Sequence, residues 1–334
     1  MNECDSLSKL SSTTLPWPAD WQEVFGAKRP LILDIGFGYG HTLEHLHHTH
    51  PDHNIIGLEI DSTCLVKAEK AILRKGMYNV RVLRSRAETA LYHLFLPGTL
   101  QQVHVNFPDP WFKARHSGRR LMQRDTLDAI VNRLTSGGMF YLATDIVAYA
   151  EMSAELLTET LELNPIHRTP WVNSWPDRIV TKYEKKARRA GRECYFFAYQ
   201  RNGYAAPFVP VIKELTMPHM IIQSPLGLED MMTKVIREST HAHGDLRVKF
   251  MSSFRNDNAV LFEVYVHEPT IEQHLALLLV SREQADEYTL KVSRVGNPRS
   301  TQGLHFAVGT LAKLLVELHS EAKILKNKVN PKFR

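Results

Sequence analysis

The chain has 334 residues, 41 of them Lys or Arg and 36 Asp or Glu, so its formal charge is 41 − 36 = +5, which permits a polyanionic partner without fixing fold or affinity. Its three cysteines, Cys4, Cys64 and Cys194, lie far apart with no C-x-x-C spacing and indicate neither a disulfide framework nor a zinc site. No apolar run approaches membrane-spanning length and no charged-plus-apolar leader opens the sequence, which predicts a soluble, cytoplasmic protein.

In chain order, residues 1–17 read as a mobile N-terminal tail. Leu31, Ile32 and Leu33 form an apolar run suited to a strand buried on both faces, and Gly36, Gly38 and Gly40 then let the backbone turn tightly and approach a ligand. A helix is predicted from His41. His41, His45 and His48 share one of its faces, with His47, His50 and His53 nearby; no carboxylate or cysteine completes a metal site, so they read as a solvated polar face and no metal is expected. Ile55, Ile56, Gly57 and Leu58 make a second buried strand ended by Glu59, followed by a helix over 62–75 and strands over 80–83 and 102–106. Helices follow over 121–134 and 146–160, with Gly137 and Gly138 as a helix-to-strand turn into a strand over 139–143. This alternation over 18–206 is that of an α/β fold, a doubly wound, Rossmann-like and mainly parallel sheet.

Near Pro207 and Pro210 the pattern changes to a C-terminal α+β module over 211–334. A helix is expected over 228–237, then a hairpin of 246–253 and 260–267 joined through Arg255, Asn256, Asp257 and Asn258, and a second strand pair over 275–281 and 288–295. A long amphipathic helix from Leu304 to about Leu325 closes the chain. No motif stands out in the module. Lys323, Lys326, Lys328 and Lys332 suit RNA contact, the apolar strand at 275–280 suits dimerisation, and added stability is a third role, so monomer and homodimer both stay open.

Two segments carry the chemistry. The first is Asp34, Ile35, Gly36, Phe37, Gly38, Tyr39, Gly40. A dinucleotide G-x-G-x-x-G would need glycine at 41 or 43, where the chain has His41 and Leu43. The glycines read G-x-G-x-G after an acid, which resembles the first motif of S-adenosylmethionine-dependent methyltransferases, and Glu59 is spaced to accept hydrogen bonds from ribose hydroxyls. The second runs Asn106, Phe107, Pro108, Asp109, Pro110, Trp111, Phe112, Lys113, Ala114, Arg115, His116, and then Arg119, Arg120, Leu121. Its prolines hold the Asp109 carboxylate on stiff, extended backbone at a strand end, beside a flat Trp111 surface and a cationic cluster. Lys182, Lys185, Lys186, Arg188, Arg189 and Arg192 make a second cationic run suited to RNA phosphates.

That second segment, with Leu142, Ala143, Thr144, Asp145 and with Thr181, Lys182, Tyr183, Glu184, resembles the signature of the tRNA (guanine-N7-)-methyltransferase family over roughly residues 18–201. The resemblance implies transfer of a methyl group from S-adenosylmethionine to guanine N7 in the variable loop of tRNA, position 46, giving 7-methylguanosine. It implies cofactor contacts at Asp34, Gly36, Gly38, Gly40, Glu59, Asn106 and Asp109, with Asp109 also catalytic. Lys113, Asp145, Thr181, Lys182, Tyr183 and Glu184 fall at target-nucleotide positions, and Arg115, His116, Arg119, Arg120, Lys185, Lys186, Arg188 and Arg189 at RNA contacts. Where relatives carry an acid beside the adenine, this chain has Arg86, followed by Ala87 and Glu88, so adenine is held either by Glu88 from a shifted loop or by backbone and apolar contacts. Two other readings stay open: a tRNA-binding protein that has lost catalysis, and a small-molecule methyltransferase.

Overall fold

In the computed structural model, which describes residues 9–111, 120–176, 178–235 and 238–333, the apolar runs of the first half become neighbouring strands. The chain forms β1 (Lys9–Ser11), α1 (Trp21–Phe25), β2 (Leu31–Ile35), α2 (His41–Thr49), β3 (Asn54–Glu59), α3 (Ser62–Lys75), β4 (Val80–Arg84) and α4 (Ala87–His93). It continues with β5 (Leu100–Asn106), α5 (Arg124–Arg133), β6 (Leu134–Thr144), α6 (Val147–Thr158), β7 (Leu163–Pro165), α7 (Lys182–Arg189) and β8 (Tyr195–Arg201). The strands lie in the order β1-β4-β3-β2-β5-β6-β8-β7, parallel except where β8 pairs with β6 and β7.

Every residue of β2 is buried, as a strand covered on both faces requires. Helix α3 keeps the expected bounds because both ends are chemically fixed: Asp61 accepts from the Cys64 amide at 2.8 Å, and Gly76 closes the other end at φ +61°. Gly57 in β3 faces Phe37 and Leu43, and a Cβ there would lie 2.6 Å from a Phe37 ring carbon. Gly57→Ala should therefore destabilise the fold by about 1–3 kcal/mol. Urea unfolding tests this, and an unchanged midpoint would contradict the packing.

Three expectations for this half are corrected. Residues 9–17 are not a tail: Lys9, Leu10 and Ser11 pair in parallel with Val82, Leu83 and Arg84, and Leu15 and Trp17 are buried, the Trp17 indole donating to Ser12 O at 3.0 Å. Gly137 and Gly138 lie inside β6, where the register against β5 jumps from Leu100↔Leu134 to Gln102↔Met139. The glycines absorb that bulge, with Gly137 at φ +78°. The α2 histidines are not uniformly solvated, since His45, His47 and His50 are half-buried and His47 Nδ1 lies 2.5 Å from Asn79 Oδ1.

The second unit, Lys213–Arg334, contains β9 (His219–Gln223), α8 (Leu228–Val235), β10 (Ser239–His243), β11 (Leu246–Arg255), β12 (Ala259–Glu268), β13 (Ile271–Ser281), β14 (Glu287–Val292), α9 (Gln302–Val316) and β15 (Lys323–Asn327). The antiparallel order is β10-β11-β12-β13-β14-β9-β15. Both expected hairpins are present. The closing helix is shorter than expected: it stops at Val316, and Lys323–Asn327 pairs with β9 as an edge strand. Leu275, Leu277 and Leu279 of β13 belong to the core cluster that includes Leu304, Val308 and Leu311 of α9, so one face of that strand serves the fold rather than a dimer. Among the described residues no helix is long and apolar enough to cross a membrane.

Candidate active site

Strand β2 pairs with β3 on one side and β5 on the other, so the chain winds outward in both directions from this point. The carboxyl ends of β2 and β5 flank the crevice where open α/β sheets bind ligands. Asp34, next to last in β2, is completely buried. Burial pushes its pKa up to about 7; the Asn106 amide and Arg178 guanidinium oppose that rise, and Glu59 adds to it. None of these neighbours closes a hydrogen bond to it: both Asp34 oxygens, Asn106 Nδ2 and Arg178 Nη1 are buried without a partner. Arg178 Nη2 donates instead to Asn106 Oδ1, and its guanidinium lies 4.9 Å from the Phe196 ring centre.

The glycine loop is anchored by main-chain bonds from Gly36 N and Phe37 N to Leu58 O at 2.8 and 3.3 Å. Gly36, Gly38 and Gly40 have φ of +73°, +58° and +81°, a conformation that side chains resist, so the sequence needs glycine at these turns. Glu59 Oε2 accepts from Gly38 N at 3.0 Å, and Oε1 accepts from Ile60 N and Asp61 N at 2.7 and 3.1 Å. Its carboxylate therefore clamps the loop as well as ending β3. After β4, Arg86 Nε lies 3.4 Å from Glu88 Oε2, and Ala87 opens α4.

At the end of β5, Phe107 and Trp111 take φ of +52° and +41°. The Pro-Asp-Pro segment is thus bounded by two left-handed residues rather than being extended throughout, and non-glycine residues in that region mark stored strain. Asp109 is exposed within it. Arg120, expected at RNA, is half-buried and braces the segment, donating from Nε to Trp111 O at 3.3 Å. Lys113, Arg115, His116 and Arg119 lie outside the described residues.

The positions expected at the target nucleotide follow β6 and begin α7. Asp145 follows β6 and pairs with Arg192 Nη2 at 3.0 Å. Thr181 is buried and caps α7, accepting from Glu184 N at 3.1 Å. Glu184 is buried and its Oε1 accepts from Arg188 Nε at 2.9 Å, so one of its two carboxylate oxygens is already engaged. Tyr183 is exposed, stacks near-parallel on Phe107 at 6.5 Å, and would meet a Cβ on Gly38 at 3.4 Å. Lys182 Nζ sits 4.2 Å from the Tyr39 ring centre. Lys182, Lys185, Lys186, Arg188 and Arg189 are all exposed.

Between these parts lies a narrow cleft of about 20 Å³ lined by Gly36, Phe37, Tyr39, Asn106, Thr181 and Tyr183. Sequence reasoning missed Tyr39, Phe107 and Arg178. Tyr39 stood in the glycine motif and Phe107 in the proline motif, but Arg178 sits in an aperiodic stretch with no signal of its own.

Residues 28–197 match the family model described as "Putative methyltransferase". The chain is 32% identical over 304 residues to a tRNA (guanine-N(7)-)-methyltransferase of Thermus thermophilus, an alignment covering 90% of this chain and 93% of that protein. The chain belongs to the tRNA (guanine-N7-)-methyltransferase family. A Thermotoga maritima member is 27% identical over 304 residues, covering 87% of this chain and 91% of its own length. One from Cupriavidus necator is 36% identical over 189 residues, 56% of this chain and 72% of the relative. The Thermus and Thermotoga alignments extend into the second unit.

The methyl donor of this family is S-adenosylmethionine. The residues present fit it. The unpartnered, buried Asp34 carboxylate can take a cationic amine, and the left-handed glycines, with open space at Gly36, admit close backbone approach. Among the described residues no group of His, Cys, Asp or Glu is arranged to hold a metal ion.

Proposed function

We propose that this chain methylates N7 of the variable-loop guanine, position 46, of tRNA to give 7-methylguanosine. Methyl transfer from S-adenosylmethionine to guanine N7 of tRNA is the activity of its family. The observation that carries the reading is an exposed cationic turn, α7, starting at the residues that line the glycine-loop cleft. Such a turn can follow phosphates while its first residues reach the base.

The cofactor supplies an electrophilic methyl group on a sulfonium. Guanine N7 is an exposed lone-pair acceptor and needs no deprotonation before it attacks, so positioning and charge complementarity are the work left to the protein. Asp34, Glu59 and the glycines at 36, 38 and 40 hold the cofactor, with Asn106 beside them and Arg86, Ala87 and Glu88 on the adenine side. Asp109 lies next to the purine as it becomes cationic. Asp145 and Glu184 supply acceptors for the N1 and N2 edge, each shared with the arginine that now pairs with it, and Thr181 fixes the start of α7. The family resemblance assigns Lys113 to the target nucleotide and Arg115, His116 and Arg119 to RNA contact.

The test is incubation with labelled S-adenosylmethionine and unmodified tRNA, followed by nucleoside mapping. Label should appear as 7-methylguanosine at position 46 and vanish when that guanine is replaced by adenine. Label in N2-methylguanosine, or none from folded protein, would sink the proposal. For the RNA side, Lys186→Ala and Arg189→Ala should each weaken tRNA binding and reduce its logarithmic salt slope by about 1, leaving S-adenosylhomocysteine affinity unchanged. Filter binding across a salt series reads this directly, and an unaltered slope in both variants would remove α7 from the phosphate track.

A further inference from the structure

Arg178 stands three residues before the cap of α7 and belongs to no assigned site. Its Nη2 donates to Asn106 Oδ1, and its Nη1 is buried without a partner. The guanidinium is wedged against aromatic rings, 4.9 Å from the centre of Phe196 and 5.7 Å from that of Trp175. On its other side it lines a second cavity, of about 160 Å³, with His45, His50, His104 and Tyr141. A cation so placed needs a reason, because an unpaired buried charge is costly. Two acids favour its charge, Glu184 first and then Asp34, whose two oxygens have no hydrogen-bond partner.

The same short segment touches the cofactor cleft at both ends. Arg178 grips Asn106 at the end of β5, and five residues later Tyr183 lies against Gly38 and Phe107. Between them Thr181 fixes the first turn of α7.

We propose that Arg178 is a positioning residue that couples the cofactor floor to the nucleotide-binding segment: it orients Asn106, sets a cation beside the Asp34 carboxylate that is to meet the cofactor's cationic amine, and so ties cofactor binding to the order of residues 181–184. This rests on the S-adenosylmethionine reading above. The charged and polar groups that bear on Asp34 are Glu59 from β3, Asn106 from β5 and Arg178 from the segment before α7. Arg178 is the one cation of the three. Its fork also fixes which way the Asn106 amide turns, since an oxygen that accepts from Arg178 turns the amide nitrogen toward Asp34.

The test uses the full chain and S-adenosylhomocysteine, with calorimetry from pH 6 to 9. In the wild type, affinity should fall as pH drops through about 7, where Asp34 takes up its proton. Arg178→Met should weaken binding about tenfold to a hundredfold and move that midpoint up by about one pH unit. Hydrogen exchange adds a readout that a merely structural role would not move: S-adenosylhomocysteine should protect the amides of residues 182–185 in the wild type but not in Arg178→Met. Arg178→Lys keeps the charge and loses the fork, so it should retain the wild-type midpoint with weaker binding. This variant decides the matter if Arg178→Met fails to fold. Wild-type affinity, midpoint and protection in Arg178→Met, or wild-type affinity in Arg178→Lys, overturns the proposal. Wild-type protein that binds no S-adenosylhomocysteine would instead overturn the cofactor reading and this inference with it.

Discussion

Asp109→Asn is expected to lower the turnover number about 100-fold at saturating cofactor and tRNA, with much smaller changes in either affinity. The substitution keeps the shape and one acceptor oxygen but removes a negative charge beside a purine that gains positive charge during transfer, and preorganised charges of this kind commonly contribute that much. Asp109 is exposed, on a segment after β5 whose ends are held by left-handed residues and by Arg120 on the Trp111 carbonyl. Base catalysis predicts something else. N7 carries no proton to abstract, so the rate at saturating cofactor should show no ascending limb near pH 7 that disappears in Asp109→Asn. A limb near pH 7 is expected only at low cofactor, from Asp34, and it should persist in the variant. Full turnover in Asp109→Asn would eliminate the proposed role, and a limb at saturating cofactor that vanished with Asp109 would require a base.

The glycine-loop turn was legible because its parts are local and chemically unusual. Three glycines after an acid have few uses other than a tight ligand-binding turn, and each adopts the left-handed backbone that made glycine necessary. A carboxylate between two prolines is as rare. What the sequence could not give was pairing. Glu184 and Asp145 read as free acceptors, yet Arg188 and Arg192 hold them, because an i,i+4 partner and a loop arginine are found only when the backbone is laid down. Arg178 was silent for the same reason: it acts across 72 positions of sequence on Asn106.

The fold divides in a similar way. Strands β2, β3 and β5 and helix α3 declared themselves by apolar runs and end caps, which are local. Strand β1 did not, since three residues of mixed character become a strand only by pairing with the already formed edge of β4. The end of α9 was missed because Ile324 and Leu325 prolong the apolar periodicity of the helix, while Ile222 and Ile221, which pair with Ile324 and Lys326, lie about a hundred residues earlier. Periodicity decides between helix and strand only while the segment is long enough to repeat.

Asp34→Asn should make the unliganded protein more stable while crippling cofactor binding. The sign follows from the folded pKa of about 7 against an ordinary value of 3.8. Below pH 4 the carboxyl is protonated in both states and contributes nothing. Between pH 4 and 7 the unfolded chain ionises while the native state keeps its proton, so wild-type stability falls as pH rises, and above 7 the loss is complete. The difference of 7 − 3.8 units corresponds to about 4 kcal/mol, an order-of-magnitude figure for a group buried without partners. Asparagine cannot ionise, so the variant escapes this loss. Its urea midpoint relative to wild type should climb from pH 4 to pH 7 and then level off, while its affinity for S-adenosylhomocysteine at pH 8 falls at least tenfold, as expected for a lost charge-assisted hydrogen bond. A stability difference that stayed flat across that range would mean that Asp34 is ionised at no cost in the folded protein, and a variant that bound cofactor normally would remove the buried carboxylate from the site. The two measurements together separate what this residue does for the ligand from what it withholds from the fold.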